Sequence, residues 1–301
     1  MLEWIVPPDE AGKKLIQFLS QRLEGKYSAR YLKRAIEENL CQFNGRTERF
    51  ASTIIAKGDH IVFKLESTTP IPLKKTHSID PSRILYEDKD LLIYNKESGI
   101  NCDKSGILLL LQKYNPALQL IHRLDRDTTG ALLLAKSPSV FAKMVEEFKN
   151  LRVEKCYVAL VDGILEKKHG SIDNYLGKKH IYQGQTIWGE VDKKDGLHAH
   201  TDWKKIEEGK RATLLFCYPK TGRTHQIRVH LAGIGHPILG DFQYCKRFNC
   251  SYKPPRYLLH AYALSFIHPI TGKKIDIEVP LPEDFKVATK ELFGNDKFEN
   301  K

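Results

Sequence analysis

The sequence predicts an α+β protein of two unequal domains, residues 1–66 and 83–301, joined by a linker over 67–82. Three observations predict it. Residues 1–66 carry two stretches of helical periodicity followed by short alternating strands. The next sixteen residues, STTPIPLKKTHSIDPS, hold three prolines and show no period. Beyond them, strand-like runs outnumber the single well-marked helix. A length of 301 residues with 41% hydrophobic and 28% charged content suits a folded chain of this size and excludes disorder as its main theme.

The first helix is expected over about Ala11 to Leu23, where Leu15, Phe18, Leu19 and Leu23 share one face, and Gly25 stops it. Ser28 stands at the N-cap position of a second helix that turns Tyr31, Leu32, Ala35 and Ile36 inward. Arg30, Lys33 and Arg34 then form a cationic stripe on another face. Cys41 and Phe43 alternate up to Asn44-Gly45, a strong hairpin signal, and Ile61, Phe63 and Leu65 alternate after Gly58-Asp59. Past the linker, Ile84 to Lys96 reads as two strands joined at Glu87 to Asp90, with Leu91 to Tyr94 apolar enough for a central strand and Gly99 breaking the run. Ser137-Pro138 marks a helix start, with Phe141, Met144, Val145 and Phe148 as its core face. Tyr157 to Val161, Ala212 to Tyr218 and Ile275 to Val279 read as strands.

Forty-eight Lys and Arg against 37 acids give a net charge of +11, an excess that favours a polyanionic partner, with nucleic acid in the lead, although charge alone also suits a merely basic soluble protein. The six cysteines include no C-x-x-C pair, which argues against a zinc ribbon and a disulfide framework. The opening residues fit neither a signal nor a transit peptide, and the longest apolar runs, Ile107 to Leu111 and Ala131 to Ala135, are about a quarter of the roughly 20 residues a membrane helix needs. A cytoplasmic monomer without membrane association is expected.

Two clusters can carry chemistry. In IHRLDRDTTG, Ile121 to Gly130, Asp125 lies among His122, Arg123 and Arg126 ahead of the apolar ALLLA. Neighbouring cations favour an ionised carboxylate, which can act as nucleophile or base, but on these residues alone a helix cap or a surface ion pair is the simpler reading. In TGRTHQIRVH, Thr221 to His230, Thr224 is placed to cap a short helix that buries Ile227 and Leu231, aims Arg228 at a carboxylate and ends at Gly233 or Gly235. His225 and His230 lack a carboxylate at ligand spacing, and no metal is expected there. His198 and His200, and Cys245 with Cys250, are equally weak as metal ligands.

These motifs make the sequence similar to RluA-type pseudouridine synthases: HRLDRDTTG, VEKCYVALVDG at 153–163, TGRTHQIRVHLAGIGHPILGD at 221–241 and LLHAYALSFIHPITGK at 258–273 occur in the family's order. The first 66 residues, with N-L-C-Q-F-N-G-R and K-G-D-H-I-V-F, resemble the S-four-type RNA-binding domain named for a small-subunit ribosomal protein. The resemblance implies a catalytic domain on a long, mostly antiparallel sheet that converts uridine to pseudouridine in RNA with no cofactor and no metal. It places the essential aspartate at Asp125, the active-site tyrosine at Tyr157 and the aspartate's partner at Arg228. Arg123 falls where the family fills the space left by a flipped base, and His122 and Arg223 accompany it as substrate-binding candidates. Arg30, Lys33 and Arg34 would meet phosphates.

Tyr157 offers an aromatic face to uracil and a phenol to accept or relay the proton from its carbon 5; by itself it also reads as a core tyrosine. Two positions depart from the family pattern. Thr129 replaces a common serine, and Glu97 replaces the proline of Asn-Lys-Pro, adding an acid near the expected site. Ribosomal RNA of the large subunit is the expected substrate, with transfer RNA as the alternative. A non-catalytic RNA-binding assembly factor and a glycosidic hydrolase compete; the hydrolase needs a second, opposed carboxylate, and Asp127 is too near in sequence to supply it.

Overall fold

The computed structural model describes residues 1–27, 29–37, 39–48, 50–64, 79–182 and 185–294, without the side chains of Arg30, Arg34, Glu37, Tyr182 and Gln185. Two compact units make up the chain, Met1–Thr76 with His180–Ile187, and His77–Lys179 with Trp188–Lys301.

In the N-terminal unit, β1 (Leu2–Ile5) precedes helices α1 (Leu15–Arg22) and α2 (Ala29–Glu37), and β2 (Cys41–Phe43), β3 (Arg46–Glu48) and β4 (His60–Phe63) complete an antiparallel sheet ordered β1-β4-β2-β3. Helix α1 starts at Leu15, later than the periodicity suggests, because Gly12 turns the chain at φ +87. Its face is as expected: Leu15, Phe18 and Leu19 are fully buried against Leu32, Ala35, Ile36 and Phe63. Tyr31 is only half-buried. Asn44 and Gly45 both take positive φ, which the two-residue turn between Phe43 and Arg46 requires. Ser28 and Leu65, and most of the expected linker, lie outside the described residues.

The larger unit is built on one eleven-stranded sheet. Its elements are β5 (Ile84–Glu87), β6 (Leu91–Lys96), α3 (Ile107–Tyr114), β7 (Gln119–Leu120), β8 (Thr129–Ala135), α4 (Pro138–Lys149), β9 (Glu154–Asp162), β10 (His169–Tyr182) and β11 (Gln185–Glu190). There follow β12 (Leu197–Glu208), β13 (Ala212–Pro219), α5 (Gln226–Gly233), β14 (Leu259–Ile267), β15 (Lys274–Glu278) and α6 (Glu283–Phe293). The order is β11-β10-β12-β13-β9-β14-β8-β6-β5, with β15 on β14 and β7 on β8. Among the pairings described, only β14 with β8 is parallel; the others are antiparallel, so the fold is α+β on a long, mostly antiparallel sheet.

Strand β6 is one place in from the edge, yet it is buried on both faces, with Leu92 and Tyr94 under α3 residues and Leu91 and Ile93 against Met144 of α4. Ser137 caps α4 by accepting the Val140 N–H, while the buried face falls on Val140 and Met144, leaving Phe141, Val145 and Phe148 half-buried. Where β8 runs beside β14, a side chain at Gly130 would meet the Ala261 carbonyl at 2.2 Å, so only glycine lets the strand leave the Asp125 loop there.

Candidate active site

Asp125 lies in the loop between β7 and β8, and that loop is pinned from beneath. Lys96, fully buried at the end of β6, sends its ammonium to three backbone carbonyls, Glu97 at 2.8 Å, Arg126 at 2.9 Å and Thr128 at 3.0 Å. Burial lowers its pKa to about 8, so it stays cationic at neutral pH, with each ammonium hydrogen given an acceptor. Arg256, equally buried, donates to the Asp127 carbonyl at 2.9 Å and is itself paired with Asp284. Arg126 Nε donates to the Gly99 carbonyl. Thr129 Oγ1 sits 2.8 Å from His260 Nδ1, so the threonine in the family's serine position keeps a hydroxyl at work.

Lys96→Met is expected to destabilise the chain by about 2–4 kcal/mol, by leaving carbonyls short of donors, and to lower kcat further than folding losses explain. Thermal melting and kinetics of the same preparation separate the two effects.

A cleft of about 570 Å³ opens above this loop, and His122, Arg123, Asp125, Tyr157, Arg223 and Arg228 all line it. The six residues come from β9, α5 and two loops, and the sheet order brings them together. Lys33 is exposed on α2 in the other unit, and the side chains of Arg30 and Arg34 lie outside the described residues.

Arg228 is committed differently from expectation. Its Nε and one terminal nitrogen bind Asp241 at 2.7 and 2.8 Å, that second nitrogen also meets Gln243 at 2.8 Å, and only the other terminal nitrogen reaches Asp125, at 3.5 Å. Tyr257 and Tyr244 lie across the guanidinium at 4.3 and 5.0 Å. Asp241 neutralises the arginine, and Asp125 stays half-buried with one long contact to it, rather than being its chief partner. Gly240 at φ +86 allows the turn that presents Asp241, since a Cβ there would lie 2.3 Å from the Arg256 carbonyl.

Three further corrections concern protonation and capping. His122 is not one of a ring of cations: burial and Lys155 pull its pKa to about 4, Nε2 accepts the Leu133 N–H at 3.0 Å, and the ring stacks on Phe148. Tyr157 is held as a neutral phenol, since burial and the Asp125 charge both push its pKa up, so any proton it handles passes by relay through its hydroxyl. Thr224 does not cap α5. His225 occupies that position at φ 56 and ψ 17, and the Gln226 side chain organises the turn by accepting from Thr221 Oγ1 and the Arg223 N–H.

Glu97 does not line the cleft; its carboxylate lies 3.6 Å from Arg83 Nε. Arg223 donates Nε to the His198 carbonyl at 2.8 Å while facing the cleft. Beside it, Lys155 is pushed to about pKa 8 by burial and by Lys220 and Arg223, so one wall carries concentrated positive charge.

Neither His225 nor His230 is free to ligate a metal through every ring nitrogen: His225 Nδ1 meets Tyr244, and the two nitrogens of His230, which lies behind the cleft, meet Thr201 and Asn174. His198 and His200 are tied to Asp173. Asp88, Asp90 and His268 do converge elsewhere, at the β5–β6 turn, with candidate atoms within 4.8 Å. There His268 Nδ1 accepts the Ile270 and Thr271 N–H groups, which puts the ring proton on Nε2, facing Asp88 at 2.9 Å; that nitrogen is a donor, not a ligand. The six cysteines are free thiols.

A sequence model of the family described as RNA pseudouridylate synthase matches residues 90–233, which hold the Asp125 loop, Tyr157 and Arg228. Ribosomal large subunit pseudouridine synthase C of Escherichia coli K12 is 33% identical over 95% of both chains. The chain belongs to the RNA pseudouridine synthase family. An uncharacterized RNA pseudouridine synthase of Aquifex aeolicus is 31% identical over 95% of both chains, and the large-subunit enzyme C of Buchnera aphidicola from Schizaphis graminum is 40% identical over 68% of this chain and 69% of its own. Among solved structures, human RNA pseudouridylate synthase domain containing 1 superposes with a TM-score of 0.59 at 28% identity, over 66% of this chain and 83% of its own. As a member of this family the protein is an isomerase that acts on RNA. Asp241, Gln243, Tyr244, Tyr257, Lys96 and His225 belong to the same site and went unassigned in the sequence, although Asp241 ends the quoted GHPILGD.

Proposed function

We propose that this pseudouridine synthase acts on uridines of large-subunit ribosomal RNA, with Asp125 as the reacting carboxylate. The convergence of Asp125, Tyr157 and Arg228 in one basic cleft supports the assignment of roles, and full-length similarity to enzymes named for the large ribosomal subunit supports the substrate. The reaction breaks the bond between ribose and the uracil nitrogen, turns the base and joins ribose to its carbon 5; the proton lost from carbon 5 is balanced by one gained at the freed nitrogen, so no net oxidation occurs. Asp125 attacks the sugar or removes a proton from it. Arg228, its charge balanced by Asp241, gives Asp125 a fixed but weak partner, which leaves the carboxylate reactive. Tyr157 stacks on uracil, and its phenol relays the proton that leaves carbon 5. A stacked uridine must be flipped out to reach this site, and Arg123 fills the space it leaves. Arg223 and the His122 ring shape the cleft around the bound nucleotide.

Residues 1–66 serve as an S-four-type RNA-binding domain, 67–82 as linker and 83–301 as the catalytic domain, in a cytoplasmic monomer. Arg30, Lys33 and Arg34 contact phosphates from α2. Replacing all three by glutamine is expected to weaken RNA binding, to reduce the slope of log affinity against log salt by up to about 3, and to leave kcat at saturating RNA unchanged. Titrations at several salt concentrations check it. The substrate is tested by mapping pseudouridine after incubation with unmodified large-subunit RNA and, separately, a transfer RNA pool; modification confined to transfer RNA contradicts the proposal.

A further inference from the structure

We propose that His225 is a positioning residue for Asp125: a neutral imidazole whose Nε2–H is aimed at the aspartate's carboxylate, with its tautomer set by the Tyr244 hydroxyl. The proposal rests on the reading of Asp125 as the reacting group. Nε2 lies 4.0 Å from Asp125 Oδ2, on the same carboxylate oxygen that Arg228 approaches. On the other side of the ring, Nδ1 lies 2.6 Å from the Tyr244 oxygen. That phenol oxygen already accepts the Trp188 N–H at 3.4 Å, so its own proton goes to the imidazole nitrogen, the stronger acceptor. With Nδ1 accepting, the ring's single proton resides on Nε2 and faces Asp125.

The surroundings keep the ring uncharged. Burial and the adjacent Arg228 guanidinium bring its pKa down to about 3, against a smaller opposing effect of Asp241. The charged and titratable groups around it are thus Asp125, Arg228, Asp241 and Tyr244. The consequence is chemical: a second cation beside Asp125 would bind the carboxylate tightly and blunt it, whereas a neutral N–H fixes its orientation at little cost in reactivity. The 4.0 Å gap is of the kind that closes to a hydrogen bond when substrate fills a site. His225 also holds φ 56, a left-handed conformation that histidine enters more readily than most residues, and it directs the ring back toward Tyr244 and Asp125 at the start of α5.

The test uses the full chain. Nitrogen-15 NMR of histidine-labelled protein, with His225→Gln to assign the resonance, is expected to show Nε2 protonated and no titration of this ring between about pH 5 and 8. A proton on Nδ1, or a titration in that range, overturns the proposal whatever the activity data say. In kinetics, His225→Gln keeps a side-chain N–H and is expected to hold kcat within about threefold, whereas His225→Ala loses roughly tenfold in kcat with KM unchanged. Tyr244→Phe keeps the ring under Arg228 but loses the proton donor; it is expected to cost roughly tenfold when His225 is present and nothing further in the His225→Gln background. Equal losses in the two backgrounds, or His225→Ala performing as well as His225→Gln, contradict the proposal. Melting curves show that each variant is folded, and if His225→Ala is not, the NMR and the Tyr244→Phe pair decide. Failure of the underlying reading is separate: it shows as turnover by Asp125→Asn, which leaves the His225 tautomer measurement standing.

Discussion

Asp125→Asn is expected to lower turnover by roughly 10³-fold or more while RNA affinity stays within about threefold of the parent. The size follows from chemistry: an amide is neither nucleophile nor base at neutral pH, and no second carboxylate lines the cleft to replace it among the described residues. The preserved affinity follows from structure. The Asp125 carboxylate makes only long contacts, 3.5 Å to Arg228 and 4.0 Å to His225, and the arginine remains neutralised by Asp241 when the carboxylate is lost. Stability should therefore be nearly unchanged. Single-turnover kinetics and filter binding on one preparation check both halves, and equal losses in both would mean that Asp125 acts in binding.

Arg228→Met should have the largest effect on stability, about 3–5 kcal/mol, together with loss of turnover. The guanidinium and the Asp241 carboxylate are 5% and 2% exposed, so removing one partner strands the other's charge in the interior. Gln243, Tyr244 and Tyr257 lose their common partner as well. Adding Asp241→Asn to Arg228→Met removes the stranded charge and should restore much of the stability without restoring activity. That difference separates the structural share of the arginine from its part in presenting Asp125. Chemical denaturation and kinetics of the two variants measure it; restored activity in the double variant would show that Arg228 acts only through the fold.

The site was legible where its chemistry is contiguous. Asp125, Arg123 and His122 stand in one short stretch, and Arg223 and Arg228 in another, with mixed polarity that a core segment does not need. What stayed hidden depends on pairings across the chain. Lys96 grips the loop through carbonyls of residues 97, 126 and 128, groups every residue possesses, so no side-chain pattern announces it. The partnership of Arg228 with Asp241 spans 13 residues and exists only because α5 and the following turn fold back together. The neutral state of the His122 ring is hidden for the same reason: burial, which the sequence does not display, and Lys155, 33 residues away in the chain, both lower its pKa.

The fold followed the same division. The apolar strands β6, β8, β9 and β13 were visible as runs, and the α4 start was visible in Ser137-Pro138. Strands β10, β11 and β12 were missed because they are rich in charged and polar residues. A period-two signal was nonetheless present in β12, where Ala199, Thr201 and Trp203 are buried between more exposed neighbours. Helix α3 shows in the sequence only as an apolar run: four of its eight residues face the core, and a short apolar stretch does not distinguish helix from strand.

The central claim is that Asp125 drives isomerisation and not hydrolysis or mere binding. Tritium release from unmodified ribosomal RNA labelled at carbon 5 of uridine tests it most directly, with free uracil assayed in the same reaction. Release is expected from the parent chain, none from Asp125→Asn, and no free uracil from either. Release that survives in Asp125→Asn, or free uracil in place of pseudouridine, would contradict it.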